Sequence, residues 1–388
     1  MKKVLMLASV ASMIDLFNKD NILTLQELGT EVQVACNFDF GSITSSERVE
    51  EFKKELTSLG IKYYNVPIPR SILDFKNILK SFLAIEKIIN DNNFELLHCH
   101  SPIGGAISRL AASKYRSSGL KVIYTAHGFH FFKGASLFNW LTYYSIERYL
   151  ARKTDVIITI NQEDYRNALK FPNPQIKYVP GIGIETENYS NKILDTSDLK
   201  KELAISTDEF VLISVGQLSK RKNHEIVIRA LAKINDKKMK YVIVGLGELE
   251  EKLTSLAKEL NISEQVLLLG YRSDIKELLN ISDCFVFPSL QEGLPVALME
   301  AMASGLPISC SKIRGNVDLI EPSVNGYFFK PDSLEEVIES LDKIKISDRS
   351  QIKNNNHTKS LQYDKKIVKK EMEIVYSKML NEEIKEQI

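Results

Sequence analysis

The chain has 388 residues, of which 44% are hydrophobic and 26% charged, and its formal net charge is +1 at pH 7. This length exceeds what one hydrophobic core usually supports, so two domains are expected. The composition is typical of a globular protein, and the near-zero net charge argues against a protein that binds nucleic acid through a global basic field.

The N-terminal segment MKKVLMLASVAS has a charged start but only a short apolar stretch. A signal peptide needs a longer one, and no run approaches the roughly 18 apolar residues of a membrane span. The segment is therefore predicted to be the first strand of a cytoplasmic protein. The four cysteines lie far apart, which predicts reduced, buried thiols rather than a disulfide framework. They are Cys36, Cys99, Cys284 and Cys310.

Short apolar runs alternate with helical-period segments, a pattern typical of βα units and parallel sheets. In the first half the runs are 3–9, 31–36, 61–66, 95–99, 121–125 and 155–160. A second series lies at 210–215, 241–245, 265–269, 284–287, 307–310 and 326–329. Between them, FKNILKSFLAIEKII has apolar residues at 75, 78, 79, 82, 85, 88 and 89, which predicts an amphipathic helix.

The rhythm breaks at 178–198, a polar segment containing prolines and glycines that predicts an inter-domain linker. The expected domains are 1–183 and 190–365, and a helix at 366–388 is expected to cross back to the first domain. The predicted fold is α/β, with two Rossmann-like domains facing a cleft. In such sheets ligands bind at the carboxyl ends of the strands, so function should lie in the loops that follow them.

Three loops of the second half carry suggestive residues. VGQLSKRKN at 215–223 places Lys220, Arg221 and Lys222 at a helix start, where bound phosphate would compensate the unfavourable meeting of cations and helix dipole. A solvated basic turn is the alternative. VGLGELEEKL is glycine-rich but lacks the third glycine of a dinucleotide fingerprint. LGYRSDIKELL places an arginine beside a helix start, with Asp274 as the expected N-cap.

The most informative loop is PSLQEGLPVALMEAMASGLP at 288–307. Pro295 suits the first helical position, where its missing N–H is no loss. The amides of Gly293 and Leu294 would then be free to meet an anion or a sugar hydroxyl. Glu300 lies in the apolar segment VALMEAMA, where an unpaired carboxylate is unfavourable, so a ligand such as a ribose diol is expected. The alternative is that the two acids of this loop only balance helix charges.

Together, Glu-x7-Glu around EGLP, the RKN run, VGLG and GYRSD resemble the retaining GT-B glycosyltransferases of family 4. The similarity extends over residues 3–335, and the ordered set of motifs is more specific than any one of them. LLHCHSPIGG and IYTAHGFHFFKG in the first half resemble the subgroup that builds bacterial capsular and exopolysaccharide repeat units.

The resemblance implies a role for each matching residue. Glu300 would bind the ribose, Glu292 the donor sugar, and Lys222 the diphosphate leaving group, while His127 would reach across the cleft to the sugar. The catalytic set is thus His127, Glu292 and Lys222. The implied donor-binding residues are Gln217, Arg221, Lys222, Gly247, Tyr271, Arg272, Glu292, Gly293, Leu294, Pro295 and Glu300. The implied acceptor-side residues are His100, Phe129, His130 and Lys133. Many family members have arginine at the position of Gln217, so one phosphate cation is missing there or is supplied by Arg221.

Leaving-group stabilisation should be the largest catalytic contribution, since charge builds on the diphosphate in the transition state. No Asp-x-Asp metal motif occurs, so metal independence is predicted, with no cofactor. His98 and His100 share one strand face and suit two metal ligands, but no third ligand is near in sequence. A core or active-site role is therefore favoured for both.

Residues 98–154 contain eight basic residues and one acidic residue, Glu147. Basic and amphipathic aromatic residues, among them Trp140, Tyr143 and Tyr144, are what a monotopic membrane face requires, although many must pack in the core. This segment is predicted to dock on the inner leaflet. The basic residues are Arg109, Lys114, Arg116, Lys121, Lys133, Arg148, Arg152 and Lys153.

The resulting hypothesis is a retaining, metal-independent hexosyltransferase that is peripheral on the inner face of the plasma membrane. It would move a hexose or N-acetylhexosamine from a nucleotide sugar, expected to be UDP-linked, to a polyprenyl-diphosphate-linked glycan. Its partners would be these two substrates and the membrane surface, with no nucleic acid. A GT-B nucleotide-sugar epimerase and a catalytically silent GT-B partner protein are the alternatives. Sequence determines neither the sugar, the linkage nor the oligomeric state.

Overall fold

The computed structural model describes residues 1–189 and 197–381, and the chain divides into two compact units. The first unit is Met1–Ile182 with Lys366–Ile388, and the second is Gly183–Lys365. The parts of the predicted linker and terminal helix at 190–196 and 382–388 lie outside the described residues. Both units are α/β with wholly parallel sheets, as predicted.

The first unit has a seven-stranded sheet in the order β3-β2-β1-β4-β5-β6-β7. Its strands are β1 (Lys3–Val10), β2 (Glu31–Asn37), β3 (Lys62–Asn65), β4 (Leu96–His100), β5 (Lys121–Ala126), β6 (Val156–Thr159) and β7 (Gln175–Tyr178). All six predicted runs form strands. The edge strand β7 was not predicted, because QIKY is only partly buried and carries no apolar run.

Helices cover both faces of this sheet. They are α1 (Ala11–Phe17), α2 (Lys19–Glu27), α3 (Ser46–Ser58), α4 (Phe75–Asn92), α5 (Pro102–Ala112), α6 (Leu137–Asn139), α7 (Ser145–Ala151) and α8 (Gln162–Ala168), with a 3-10 turn at Ser113–Ser118 and a π-helical segment at Trp140–Tyr144. The side chain of Asp74 caps α4 by accepting from the amide of Asn77. Five of the seven predicted apolar positions pack in or against the core, whereas Phe75 and Leu79 are exposed.

The C-terminal helix, Lys365–Leu380, packs on this first unit. Its apolar side chains join the same core cluster as α1, α3 and β1, and they are Val368, Met372, Val375, Tyr376 and Leu380. The phenol of Tyr376 contacts Nδ1 of His98 at 2.8 Å, so this helix also contacts β4 directly.

One basic residue of the predicted membrane face is internal. Arg109 is fully buried and donates to both carboxylate oxygens of Glu147, at 2.8 and 3.1 Å, while its guanidinium lies over the ring of Tyr124. The only acidic residue of the segment therefore neutralises the only buried cation. The remaining basic residues of this segment are partly or fully exposed.

The second unit has a six-stranded sheet in the order β10-β9-β8-β11-β12-β13. Its strands are β8 (Phe210–Val215), β9 (Met239–Val244), β10 (Val266–Leu268), β11 (Cys284–Phe287), β12 (Ile308–Ser311) and β13 (Gly326–Phe329), all six as predicted. Its helices are α9 (Ser197–Glu202), α10 (His224–Ile234), α11 (Glu250–Glu259), α12 (Ile275–Asn280), α13 (Val296–Ala303), α14 (Asn316–Leu319), α15 (Leu334–Ile346) and α16 (Arg349–Ser360). Short 3-10 turns lie at Thr186–Asn188, Lys220–Lys222, Ser263–Gln265 and Leu361–Tyr363.

The strand order reverses between β8 and β11, which makes this the switch point where open α/β sheets bind ligands. All four cysteines are free and buried, as predicted. Within the described ranges, no helix combines the length and apolarity that crossing a membrane requires.

Candidate functional site

The loops after β8 and β11 meet at the switch point of the second unit. The amide of Leu290 donates to the carbonyl of Arg221 at 2.8 Å, and the side chain of Asn223 donates to the carbonyl of Pro288 at 3.2 Å. These bonds hold the SKRKN and LQEG segments side by side. Two loops far apart in sequence thus form one surface at the carboxyl end of the sheet.

The charged centre of this surface is Glu292. Its Oε1 accepts from Nζ of Lys222 and from Nη1 of Arg221, each at 2.8 Å. The side chains of Lys222 and Glu292 are only 11% and 10% exposed, whereas Arg221 is 46% exposed. Burial lowers the pKa of Lys222, and the charge of Glu292 partly opposes that shift. The predicted catalytic residues of this unit are therefore in direct contact.

The sequence analysis predicted the basic run at the start of a helix, and the structure shows that this prediction is wrong. Residues 220–222 form a 3-10 turn, and α10 begins only after Asn223, whose φ is 56°. The left-handed residue separates the turn from the helix, so the cations do not oppose the dipole from within the helix. Nζ of Lys222 instead lies 4.5 Å from the ring centroid of Phe287.

The VGLG loop after β9 packs against the β8 loop. The amide of Leu218 donates to the carbonyl of Leu246 at 2.9 Å. A Cβ at Gly245 would overlap the carbonyl of Gly216, and one at Gly247 would overlap the carbonyl of Leu218. The glycines of this motif are therefore needed for close contact between two backbones. Gly247 consequently supports the loop that carries the basic residues.

Glu300 on α13 is partly buried and has one protein partner among the described contacts. The phenol of Tyr189 donates to its Oε1 at 2.9 Å. Burial raises the pKa of Glu300, and the Tyr189 bond opposes that shift. The carboxylate therefore has an oxygen, Oε2, available for a further hydrogen bond. Tyr189 was not predicted as a site residue, because nothing in the sequence places it near a helix 111 residues later.

The EGLP turn differs from the prediction in its helix boundary. Pro295 stands at the N-cap of α13 rather than at its first residue, and it is buried together with Leu294. Gly293 lies against the β12 loop, where a Cβ at Gly315 would overlap its carbonyl. Nε of Arg314 donates to the carbonyl of Glu292 at 3.2 Å. Arg314 is 7% exposed, and it was not predicted as a site residue because it stands outside the motifs recognised in the sequence.

The loop that carries the predicted donor-binding residues Tyr271 and Arg272 follows β10. Tyr271 is 77% exposed, and Arg272 makes two bonds to Asp274, of 2.8 and 2.6 Å, and one of 2.7 Å to Glu202. Asp274 holds the N-cap position of α12, but its side chain makes no capping bond because it pairs with Arg272. Gln217 is exposed next to the basic turn.

In the first unit, His127 follows β5 and contacts a second predicted residue. Its Nε2 lies 3.1 Å from Nδ1 of His100, the last residue of β4. His127 is partly exposed, while His100 is buried. Burial lowers the pKa of His127 to about 4 and that of His100 well below its ordinary value, so both rings are neutral at pH 7.

The other acceptor-side predictions fall in different environments. Phe129 is buried in the core with its ring stacked on Phe131 at 4.6 Å, so it packs this unit rather than lining a surface. The ring of His130 stacks on Tyr143 at 4.6 Å, and Lys133 is exposed. In the described part of the chain, no three His, Cys, Asp or Glu side chains are placed to hold a metal ion.

Two family descriptions match the chain. "Glycosyl transferases group 1" matches residues 195–359, and "Glycosyl transferase 4-like" matches residues 3–161. EpsD of Bacillus subtilis, named as a glycosyltransferase with no stated substrate, is 34% identical over 85% of this chain and 84% of its own length. The UDP-Gal:alpha-D-GlcNAc-diphosphoundecaprenol alpha-1,3-galactosyltransferase of Escherichia coli is 32% identical over 69% of this chain and 70% of its own.

Solved structures share the fold. HepE from Anabaena in complex with UDP superposes with a TM-score of 0.75 at 19% identity, covering 97% of this chain and 100% of that one. Sucrose-phosphate synthase from Thermosynechococcus elongatus gives 0.75 at 16% identity, covering 98% and 100%. At these identities the likeness concerns the fold alone.

Proposed function

Because this chain belongs to the GT-B glycosyltransferases of family 4, we propose that it transfers a hexose or N-acetylhexosamine from a UDP-sugar to a polyprenyl-diphosphate-linked glycan. The observation that carries the proposal is the contact of Lys222, Arg221 and Glu292 at the switch point of the second sheet. The lipid-linked sugar named for the Escherichia coli relative supports the acceptor class. Capsule or exopolysaccharide synthesis is the process this activity would serve.

The donor would bind to the second unit. Its diphosphate would compete with Glu292 for the two cations, since a diphosphate carries more charge than one carboxylate and takes charge-assisted bonds from Lys and Arg. Glu292, released from one or both cations, would accept from sugar hydroxyls. Glu300 would accept from the ribose through Oε2 while Tyr189 holds Oε1.

The chemistry proposed is retention of anomeric configuration without a metal ion. As the glycosidic bond to the diphosphate breaks, negative charge accumulates on the departing oxygen. Lys222 is positioned in a low-exposure site where a fixed cation stabilises that charge more than in water. Retention is checked by the anomeric coupling constant of the product sugar.

The test of this function is release of UDP that requires the acceptor. The purified chain is incubated with each UDP-sugar, with and without a synthetic polyprenyl-diphosphate-linked sugar. We expect one donor to give UDP only when acceptor is present, at a rate unchanged by excess EDTA. Complete loss of turnover in EDTA would contradict metal independence.

The two alternative functions give different results in the same assay. An epimerase would convert the UDP-sugar without acceptor. A silent partner protein would release no UDP under any condition and would show no thermal shift with UDP, GDP or ADP. A thermal shift with GDP alone would change the donor to a GDP-sugar. A nucleotide that binds, supplied at about 100 times its dissociation constant, should raise the free energy of unfolding by roughly 2.7 kcal/mol.

We further propose that the first unit docks on the inner leaflet through its α4–α7 side. The aromatics named from the sequence are not the ones exposed: Trp140, Tyr143 and Tyr144 pack against the core. The exposed apolar residues of the same helical segment are Leu137, Phe138, Leu141, Ile146 and Tyr149. A second set, on and just before α4, comprises Ile72, Leu73, Phe75, Leu79 and Leu83.

The two exposed apolar sets lie on one side of the sheet, because α5 packs against both α4 and α7. Exposed basic residues accompany each set: Lys76 and Lys80 on α4, and Arg148 and Arg152 in and after α7. Apolar side chains beside cations are suited to an anionic bilayer surface.

Vesicle flotation at low salt tests this surface. We expect binding to phosphatidylglycerol-containing vesicles and little to pure phosphatidylcholine. Phe138→Ser with Leu141→Ser should weaken the binding at least tenfold, since each apolar side chain inserted contributes about 1.5–3 kcal/mol. The matched control is Ile346→Ser, which removes an apolar residue 86% exposed in the second unit. Equal binding to both vesicle types, or to neither, would refute the docking proposal.

A further inference from the structure

Three histidines form a row in the first unit. His98 and His100 lie on β4, and His127 follows β5. The ring centroids of His98 and His100 are 4.2 Å apart, and those of His100 and His127 are 5.4 Å apart. Burial lowers the pKa of each of the three imidazoles, that of His98 to about 3. At neutral pH every ring in the row therefore has one N–H and one lone pair.

The partners of His100 determine which of its nitrogens is protonated. Nε2 of His100 lies 3.2 Å from Sδ of Met6 on β1. A thioether sulfur has no proton to donate and is only a hydrogen-bond acceptor. Nε2 of His100 therefore carries the proton and donates to the sulfur, which leaves the lone pair on Nδ1.

This assignment sets the tautomer of the next ring. Nδ1 of His100 faces Nε2 of His127 at 3.1 Å, and it can only accept. His127 must then donate from Nε2, so its lone pair is on Nδ1. The opposite tautomer would bring two lone pairs together in a buried setting, where an unmade hydrogen bond is expensive. His127 thus has an acceptor, and no proton, at Nδ1.

We propose that His100 is a positioning residue that holds His127 in the Nε2–H tautomer, so that Nδ1 of His127 accepts a hydrogen bond from a sugar hydroxyl of a bound substrate. The part concerning the sugar rests on the proposed function. The chemical requirement is specific: the sugar group that meets His127 must donate a proton. Met6 contributes by accepting from His100, a role that no sequence motif assigns to it.

The tautomer is tested in the ligand-free chain by long-range proton–nitrogen NMR with ¹⁵N-labelled histidine. Six histidines give a tractable spectrum, assigned with single variants. We expect the signals of a protonated Nε2 and an unprotonated Nδ1 for His127. A protonated Nδ1 on His127 would overturn the proposal. Because no substrate is present, this result is independent of whether the chain is a glycosyltransferase.

Variants of His100 separate positioning from folding. His100→Asn keeps a carbonyl acceptor near the position of Nδ1, so His127 should retain its tautomer. His100→Leu removes the acceptor, and His127 should then populate both tautomers. Met6→Leu keeps the volume of the side chain and should shift His100, and with it His127, toward a mixture. A single unchanged tautomer of His127 in both leucine variants would show that His100 does not set it.

Donor analogues test the sugar contact. With the active UDP-sugar, monodeoxy and deoxyfluoro analogues replace one hydroxyl at a time, and fluorine cannot donate a hydrogen bond. At the position facing His127 we expect both analogues to lose about tenfold in kcat/KM, and His100→Asn to retain more activity than His100→Leu. A position at which fluorine restores activity, together with equal activity of the two His100 variants, would refute the acceptor role. Absence of turnover with every UDP-sugar would refute the proposed function and the sugar contact, while the NMR result would stand.

Discussion

Replacement of Lys222 by methionine is expected to lower kcat about 10³-fold, because one fixed donor to a developing negative charge contributes that order of rate acceleration. Lys222 is held against Glu292 at 2.8 Å in a site where little water competes for its charge. Methionine keeps the apolar stem beside Phe287 and removes only the ammonium group. The measurement is steady-state kinetics with the active UDP-sugar and its lipid-linked acceptor.

The distribution of the loss between kcat and KM is diagnostic. The diphosphate is more negative in the transition state than in bound substrate, so kcat should fall more than KM rises. Lys220→Met is the matched control, because Lys220 belongs to the same 3-10 turn but is exposed. A similar loss in both variants would indicate general electrostatic attraction of the donor, and an unchanged kcat in Lys222→Met would remove this residue from catalysis.

Glu300→Gln is expected to weaken UDP binding about 10²-fold without destabilising the fold. A charged acceptor for a ribose hydroxyl contributes roughly 1.5–3 kcal/mol. Burial raises the pKa of Glu300, so the folded chain holds this proton more tightly than the unfolded chain. That linkage favours the folded state below the ordinary value of 4.5 and is lost as pH rises through the raised folded-state pKa. At neutral pH the buried, ionised carboxylate therefore lowers the free energy of unfolding, and glutamine removes this destabilising charge.

Two measurements distinguish a direct role of Glu300 in UDP binding from misfolding of the Glu300→Gln variant. Thermal unfolding without ligand should give Glu300→Gln a melting temperature equal to or above that of wild type, while the stabilisation by UDP is lost.

In wild type, UDP affinity should fall as pH is lowered toward the raised pKa of Glu300, since the protonated group loses its charge. Tyr189→Phe should move that fall to higher pH, because the Tyr189 bond opposes the upward shift. Glu251→Gln, an exposed acid of the same unit, is the control. Unimpaired UDP binding by Glu300→Gln would contradict the ribose role.

Most of the strands could be predicted from the sequence alone. Twelve of the thirteen strands follow apolar runs, because the inner strands of a parallel sheet are buried on both faces and need apolar residues throughout. The edge strand β3 is largely exposed, and its run was recognised through the buried residues Ile61 and Val66 that flank it. The exception, β7, is a partly buried edge strand, which needs no such run. The helix bounds were less accurate: the basic turn at 220–222 and the N-cap at Pro295 depend on backbone angles that residue type only biases.

The residues of the proposed membrane surface were also predicted only in part. The basic and aromatic content of residues 98–154 predicted a membrane face, but composition does not reveal which of the apolar side chains face the core. The structure places Trp140 inward and leaves Leu141 74% exposed. Likewise, counting Arg109 as a surface cation failed because its partner Glu147 lies 38 residues away.

By itself, the sequence determined the two parallel α/β units, the loops that carry polar residues and the family resemblance, because these depend on local pattern and ordered motifs. Only the tertiary structure decided that Lys222 and Arg221 share one oxygen of Glu292, that Tyr189 contacts Glu300, and that Nδ1 of His100 contacts Nε2 of His127. Each of these is a contact between strands or loops distant in the chain. Such contacts follow from strand order and side-chain packing, which residue spacing does not encode.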